Sequence, residues 1–291
     1  MTTNEQVGIQ GFPGANHEIA ARNLYGDAVD LAYIPTFKEL FDSLRERRIG
    51  RAVVAFSNTS TEGAFIPAPH RELIKNGSEY WLTDRVDILV RHQLLTLPGA
   101  RLDQISTVHS MGVALEQCEE TLRRILPNAQ LIHEDDTALS AQLVKERNDT
   151  SHAAVATTLS GELNDLVIAA SDIQDDSQNI TRFFGWSLRE EGLARMTGNE
   201  NRTLILIKPP NDHAGTLLRV LQPFDSEGIN LADLHVESSP GSGRRTKQFL
   251  IEAESGFETH EMQQVLATLA YSGYTAALLG SWVESTQESA T

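Results

Sequence analysis

The sequence predicts an α/β protein in two parts, and three observations carry that prediction. Short apolar clusters alternate with segments of helical apolar spacing as far as about residue 180. The alternation lapses after Gly185 in a polar stretch. It resumes at Thr203 in a shorter series with a different order of elements.

In the first part, Val7-Gly-Ile-Gln-Gly reads as a strand, and residues 15–24 have helical spacing. Asp30-Leu-Ala-Tyr-Ile-Pro is a second strand, followed by a helix over 37–47. Arg51-Ala-Val-Val-Ala-Phe is a short buried strand. Val86-Asp-Ile-Leu-Val, Ile105-Ser-Thr-Val and Ala129-Gln-Leu-Ile continue the series, with helices expected over 113–126 and 137–145. Ala153-Ala-Val-Ala and Leu166-Val-Ile-Ala-Ala close it. Strands alternating with helices imply largely parallel sheets. Arg189-Glu-Glu-Gly and Thr197-Gly-Asn-Glu-Asn lack a sustained apolar period and read as a linker.

In the second part, Thr203-Leu-Ile-Leu-Ile is a strand and 214–224 a helix. Ile229-Asn-Leu-Ala-Asp-Leu-His-Val and Gln248-Phe-Leu-Ile-Glu are strands around a Gly241-Ser-Gly turn. A helix over 261–271 and the strand Ala276-Ala-Leu-Leu complete the order βαββαβ, which is ferredoxin-like. A domain this small leaves one sheet face free and commonly pairs with a copy of itself. The tail from Glu284 is polar and expected to fray.

Composition narrows the function. The 291 residues carry 24 Lys and Arg against 40 Asp and Glu, a net charge of −16. Nucleic acids and anionic membranes bind clustered cations, so neither is an expected partner. No apolar run is long enough to span a membrane. Met1-Thr-Thr-Asn-Glu lacks the basic and apolar segments of a signal peptide, so a cytoplasmic location is expected. The single cysteine, Cys118, permits no intrachain disulfide and reads as a buried small hydrophobe. The nine histidines form no H-x-x-x-H or Cys/His cluster, so no metal is expected. There is no phosphate-binding glycine loop, dinucleotide fingerprint or hydrolase elbow, so no cofactor is expected either.

What remains are polar residues at strand-to-helix junctions: Gly11-Phe-Pro-Gly-Ala-Asn-His-Glu, Ser57-Asn-Thr-Ser-Thr-Glu-Gly, Ser110-Met-Gly and Thr181-Arg182-Phe183. Open α/β sheets bind ligands at the carboxyl ends of their strands, where helix N-termini favour anions. Local capping places the same residue types at helix starts, so each taken singly is ambiguous.

Their order is specific. Asp172-Ile-Gln-Asp-Asp-Ser-Gln-Asn-Ile-Thr-Arg-Phe matches an I-x-D…N-x-T-R-F pattern. Ala20-Ala21, Leu94-Leu95, Ala114-Leu115-Glu116-Gln117-Cys118 and Ala153-Ala-Val-Ala fit around it. Gly215-Thr-Leu217, Gly228-Ile-Asn230-Leu231 and Glu237-Ser238-Ser-Pro resemble G-A-L…I-N-L…E-S-R-P. Over nearly its whole length the chain resembles prephenate dehydratase with a C-terminal ACT regulatory domain. The resemblance implies a two-lobed, periplasmic-binding-protein-like catalytic region over 1–187 with a cleft between the lobes. A linker over 188–201, an ACT domain over 202–284 and a tail over 285–291 would follow.

It also implies a reaction. Prephenate loses its ring hydroxyl as water and its ring carboxylate as carbon dioxide, giving phenylpyruvate. Thr181 would stand at the leaving hydroxyl, and Arg182 would hold a carboxylate or brace the loop. Asn16, Asn58, Thr59, Ser60, Ser110 and Phe183 would contact the substrate, a small carboxylate. Gly215, Leu217, Asn230, Leu231, Glu237 and Ser238 would hold an aromatic amino acid effector, phenylalanine, in a homodimer or homotetramer.

The departures cluster in the pocket. The usual G-P-x-G-S/T-F/Y-S/T loop reads Gly11-Phe12-Pro13-Gly14-Ala15-Asn16-His17, without its hydroxyls. P-x-E-N-S becomes Phe56-Ser57-Asn58-Thr59-Ser60, and S-H-P-Q becomes Ser110-Met111-Gly112-Val113. A customary G-E reads Asp84-Arg85, and the ACT arginine is Ser239. His109 beside Ser110 is a candidate substitute for the missing histidine, and Arg85 and Lys38 are candidate anion partners. The alternatives to a prephenate dehydratase are a related cyclohexadienyl acid substrate, prephenate decarboxylation, or amino-acid sensing without turnover. The chain is expected to leave the first lobe near Pro67 and return near Ala156.

Overall fold

The computed structural model describes residues 6–61, 65–239 and 246–284. The first half contains β1 (Val7–Gln10), α1 (Asn16–Tyr25), β2 (Leu31–Ile34), α2 (Phe37–Arg45), β3 (Arg51–Asn58), α3 (Pro67–Asn76), β4 (Tyr80–Leu89), β5 (Gln93–Thr96), β6 (Thr107–Met111), α4 (Gly112–Glu116), α5 (Glu119–Ile125) and β7 (Gln130–Glu134). There follow α6 (Thr137–Arg147), β8 (His152–Ala156), α7 (Thr158–Leu163), β9 (Val167–Ala170), β10 (Ile180–Leu188) and α8 (Arg189–Ala194). The chain ends with β11 (Arg202–Lys208), α9 (Thr216–Ser226), β12 (Leu231–Ser239), β13 (Thr246–Ala253), α10 (His260–Tyr271) and β14 (Thr275–Trp282). It divides into two units. One takes in the chain to Pro69 and Val86–Phe184, the other His70–Arg85 and the chain from Gly185.

The first unit has two lobes. In one, the sheet order is β4-β10-β3-β1-β2, with β1 parallel to β2 and β3. Val7, Ile9, Val53, Ala55 and Phe183 pack there against Ala20 and Ala21 of α1. In the other, the order is β7-β6-β8-β5-β9, with β6 parallel to β7 and β8. Alternate residues of β8 serve opposite faces, as the strand period requires. Ala153 and Val155 pack with Leu115, Cys118 and Leu122, and Ala154 and Ala156 with Ala141 and Val144.

Several features differ from the sequence reading: α7 has no counterpart in it, and Thr181-Arg182-Phe183, read at a strand-to-helix junction, opens the strand β10. Strand β5 is antiparallel to β8 and β9. The helix expected over 113–126 breaks into α4 and α5, because Asp175 reaches in from another segment. Its carboxylate accepts from the Glu120 and Thr121 amides, both at 2.9 Å, and so caps α5. The lobes exchange the chain at Val90–His92 and at 171–179, not near Pro67 and Ala156. These segments bond to each other through Val90 N to Asn179 O at 2.7 Å and Ile173 N to His92 O at 2.9 Å.

The β1–α1 loop docks on the second lobe through Gly14. Its carbonyl accepts from Thr157 Oγ1 at 2.6 Å and Ser160 Oγ at 3.0 Å. Gly14 has φ +93°, and a Cβ there would come within 2.8 Å of the Ser160 backbone. Glycine is therefore required both by conformation and by space.

The second unit has the expected βαββαβ order from β11 to β14. β13 lies between β12 and β11, and β14 follows β11, all antiparallel. Leu82 of β4 adds in parallel beside Gly280. Ile205, Ile207, Val220, Phe224, Phe249 and Val265 form its core. The polar stretch read as a linker contains α8, and α3 has no counterpart in the sequence reading. The 241–243 turn, Gly63 and the tail over 285–291 lie outside the described residues.

Candidate active site

A cavity of about 530 Å³ lies between the lobes of the first unit. The first lobe contributes Gln10 and Asn58 at strand ends, Asn16 and His17 at the start of α1, and Thr181 and Phe183 of β10. The second contributes Met111 at the end of β6, Gln117 after α4, and Asp136 and Thr137 at the start of α6. Strand carboxyl ends and helix N-termini thus converge on one space, which is where such sheets bind ligands.

Thr181 is only 8% exposed, and its hydroxyl accepts from Asn58 Nδ2 at 2.7 Å. Asn58 Nδ2 also donates to Asn179 Oδ1 at 2.8 Å. The other side of the amide, Oδ1, accepts from Ser60 N at 2.9 Å and from the Ser60 hydroxyl. With acceptors on one side and donors on the other, the amide orientation is fixed. The Thr181 hydroxyl proton has no acceptor among the described residues, so it is left to the cavity.

The chain of bonds continues. Gln117 Nε2 donates to Ser60 Oγ, and Gln117 Oε1 lies 2.9 Å from His92 Nε2. Since Oε1 only accepts, His92 carries its proton on Nε2. His92 Nδ1 is buried without a partner among the described residues. Burial holds the imidazole pKa below its usual value, which favours the neutral ring. His92, Gln117, Ser60, Asn58 and Thr181 therefore form a polarised row in which every donor points toward Thr181.

His17 meets Phe183 edge-on at 5.1 Å and Phe37 at 5.8 Å. Its Nε2 accepts from Ala55 N at 3.3 Å, which needs an unprotonated nitrogen. Burial lowers its pKa to about 4. Asp136 is 8% exposed, and its Oδ1 caps α6 by accepting from Ala138 N at 2.7 Å and Leu139 N at 3.3 Å. Burial raises its pKa.

The residues singled out from the sequence separate into groups. Thr181, Asn58, Phe183 and Asn16 line the cavity. Ser60 stands behind Asn58, and Thr59 fastens the start of β10 by donating to Gln178 O at 2.9 Å and accepting from Ile180 N at 2.8 Å. Arg182 falls between two inward residues of a strand and so faces away, toward Asp87 Oδ1 at 3.4 Å. Ser110 is fully buried and donates to Val155 O at 2.6 Å. His109 is no substitute for a missing cleft histidine, since it is buried between Glu134 and His152 at 2.9 Å from each. Arg85 and Lys38 hold protein carboxylates rather than a ligand, Glu252 and Asp42 respectively, each at 2.7 Å.

The sequence reading does not single out His92, Gln117, His17 or Asp136. His92 stands one residue before a recognised apolar segment and Gln117 inside another, but only tertiary contact links them. Among the described residues no cluster of three His, Cys, Asp or Glu could hold a metal, and no helix is long and apolar enough to cross a membrane.

In the second unit, Gly215 caps the start of α9 at φ +83° and Leu217 is half-exposed beside it. Asn230 follows the far end of α9 and donates to Glu254 Oε2 at 2.9 Å, with Leu231 opening β12. Glu237 faces His70 Nε2 at 3.2 Å. The Ser238 side chain lies outside the described residues.

Residues 7–191 match the family model for prephenate dehydratase. Arogenate dehydratase 1 of Petunia hybrida is 32% identical over 239 residues, covering 82% of this chain and 54% of its own. The chain thus spans about half the length of the plant relatives it matches. A bifunctional N-acyl-homoserine lactone acylase/prephenate dehydratase of Komagataeibacter europaeus is 29% identical and covers 96% of both chains. The prephenate dehydratase of Arthrobacter aurescens, solved with L-Phe, superposes with a TM-score of 0.83 at 25% identity, over 98% of this chain and 92% of that one.

Proposed function

The chain belongs to the prephenate dehydratase family, and from that membership we propose that it is a lyase acting by decarboxylating dehydration. The observation that carries the reading is the Thr181 hydroxyl, held as an acceptor by Asn58 with its own proton free toward the cavity. The substrate is prephenate or its 2-amino counterpart, arogenate. The ring carboxylate leaves as carbon dioxide, and its electron pair enters the ring. The ring hydroxyl departs at the opposite carbon, taking the Thr181 proton to leave as water. The Asn58 N–H stabilises the oxygen left behind, and Thr181 regains a proton from solvent. Aromatisation drives the sequence. A hydroxyl is a weak acid, so the donor must be aimed in advance in a site poor in water, and the row from His92 supplies that aim. Arg182 acts by bracing β10 through Asp87.

The second unit acts as an ACT-type sensor of phenylalanine. Gly215 and Asn230 stand at opposite ends of the 11-residue α9, about 16 Å apart along its axis. A ligand touching both kinds of segment therefore needs two copies of the chain, which makes the effector site a property of a homodimer or larger assembly. The L-Phe held by the Arthrobacter relative supports this effector.

The test is incubation with prephenate and, separately, arogenate, with products identified by mass spectrometry and Thr181→Ala alongside. Phenylpyruvate or phenylalanine that disappears in the variant upholds the reading. A decarboxylated, non-aromatic product replaces dehydration with decarboxylation. No product, together with thermal stabilisation by phenylalanine, replaces the enzyme with a sensor.

A further inference from the structure

The cavity is electrostatically one-sided. Its described lining includes Asp135 and Asp136 and no lysine or arginine. The nearest arginine in sequence to Thr181, Arg182, is turned to Asp87. Asp136 is more than nine-tenths buried, and only Oδ1 is used, in capping α6. Oδ2 has no donor among the described residues and lies beside Gly11, where a Cβ would approach it to 2.6 Å. Gly11, at φ +104°, has no side chain to displace that oxygen, and Asp136 lines the cavity. Burial without a compensating cation is also why the Asp136 carboxyl titrates high.

A cavity of this kind discriminates between two forms of one substrate. The 2-oxo acid, prephenate, brings two carboxylates and no positive charge. The 2-amino acid, arogenate, brings an ammonium group with three donors and one unit less net negative charge. A buried carboxylate oxygen lacking a donor rejects the first and accepts the second.

We propose that Asp136 is a specificity-determining residue that receives the ammonium group of a 2-amino acid substrate through Oδ2, so that the site prefers arogenate over prephenate. This rests on the dehydratase reading and names the substrate form that reading leaves open. The N-terminus of α1, at Asn16 on the cavity wall, has no side-chain cap and offers N–H groups for a carboxylate.

The experiment compares kcat/KM for arogenate and prephenate in the full chain, Asp136→Asn and Asp136→Ser. Both replacements keep a side-chain oxygen at the α6 cap, and circular dichroism checks that they fold. The native chain is expected to prefer arogenate by tenfold or more. The variants are expected to lose 10- to 100-fold on arogenate while prephenate turnover is unchanged or rises. Preference for prephenate in the native chain, or equal losses on both substrates, overturns the proposal. If neither substrate turns over, the dehydratase reading fails by itself, and calorimetric titration with the same two compounds decides this one. Loss of arogenate binding alone in the variants upholds it; equal affinities for the two compounds overturn it.

Discussion

The Asn58 amide donates to the Thr181 hydroxyl at 2.7 Å, joining the end of β3 to the start of β10. The bond makes Thr181 an acceptor from the protein and hence a donor to the cavity. Asn58 is held in turn by Ser60, and Ser60 by Gln117, which meets His92. One side chain is thus aimed by four others from both lobes.

Thr181→Ala is expected to lower kcat by about 10²- to 10⁴-fold, the usual range for a lost proton donor, with a small change in KM. Thr181→Ser keeps the donor and should retain activity within about tenfold of the native chain. Steady-state assays on both variants check this. Equal losses in Ser and Ala variants would remove the hydroxyl from the chemistry.

Gln117→Leu breaks the row at its centre without touching Thr181. It leaves Ser60 Oγ without its donor and His92 Nε2–H without its acceptor. The expected cost is about 1–3 kcal/mol in stability, for an unpaired buried group. A fall in kcat larger than the change in KM would mark loss of Thr181 alignment, and urea unfolding would measure the stability separately.

His17 makes stability depend on pH. Burial lowers the ring's pKa to about 4 in the fold from its ordinary 6.5. Between those values the unfolded chain binds more protons, so the contribution is complete above pH 6.5 and is lost as pH falls toward 4. Its upper bound is about 3 kcal/mol. Protonation would also set Nε2–H against the Ala55 N–H. Urea midpoints recorded from pH 7 to 4 should fall less steeply in His17→Gln than in the native chain.

Arg85 and Glu252 form a largely buried ion pair in the second unit, with side chains 12% and 2% exposed. Arg85→Met should cost about 3–5 kcal/mol, because it removes a cation held 2.7 Å from a buried carboxylate. Glu252 also lies 4.0 Å from Arg202 Nε, which moderates the loss. Arg85→Met with Glu252→Leu should recover much of it. Thermal denaturation of the three proteins reads the cycle; a double variant no better than the single would mean that packing, not charge, holds the pair.

Effector binding can be tested by titrating phenylalanine while recording activity and light scattering. Inhibition or a change in assembly is expected. No effect on either would end the sensor reading.

By itself the sequence determined the α/β class, the βαββαβ order and the place of Asn58 at the end of a strand. These depend on local periodicity, turn residues and short motifs, which are written into consecutive residues. Tertiary structure alone decided the rest. Thr181, read as part of a strand-to-helix junction, instead opens β10. Arg182 faces Asp87 rather than the cavity because a strand sends neighbours to opposite faces. The expected helix over 113–126 broke because Asp175, 55 residues from Glu120, supplied a cap. His92 and Gln117 joined the site through bonds between residues 25 apart in sequence, and Gln117 reached Ser60 across 57. Contacts of that separation leave no periodic trace in a single sequence, so charge, burial and aim at the cavity emerge only when the lobes meet.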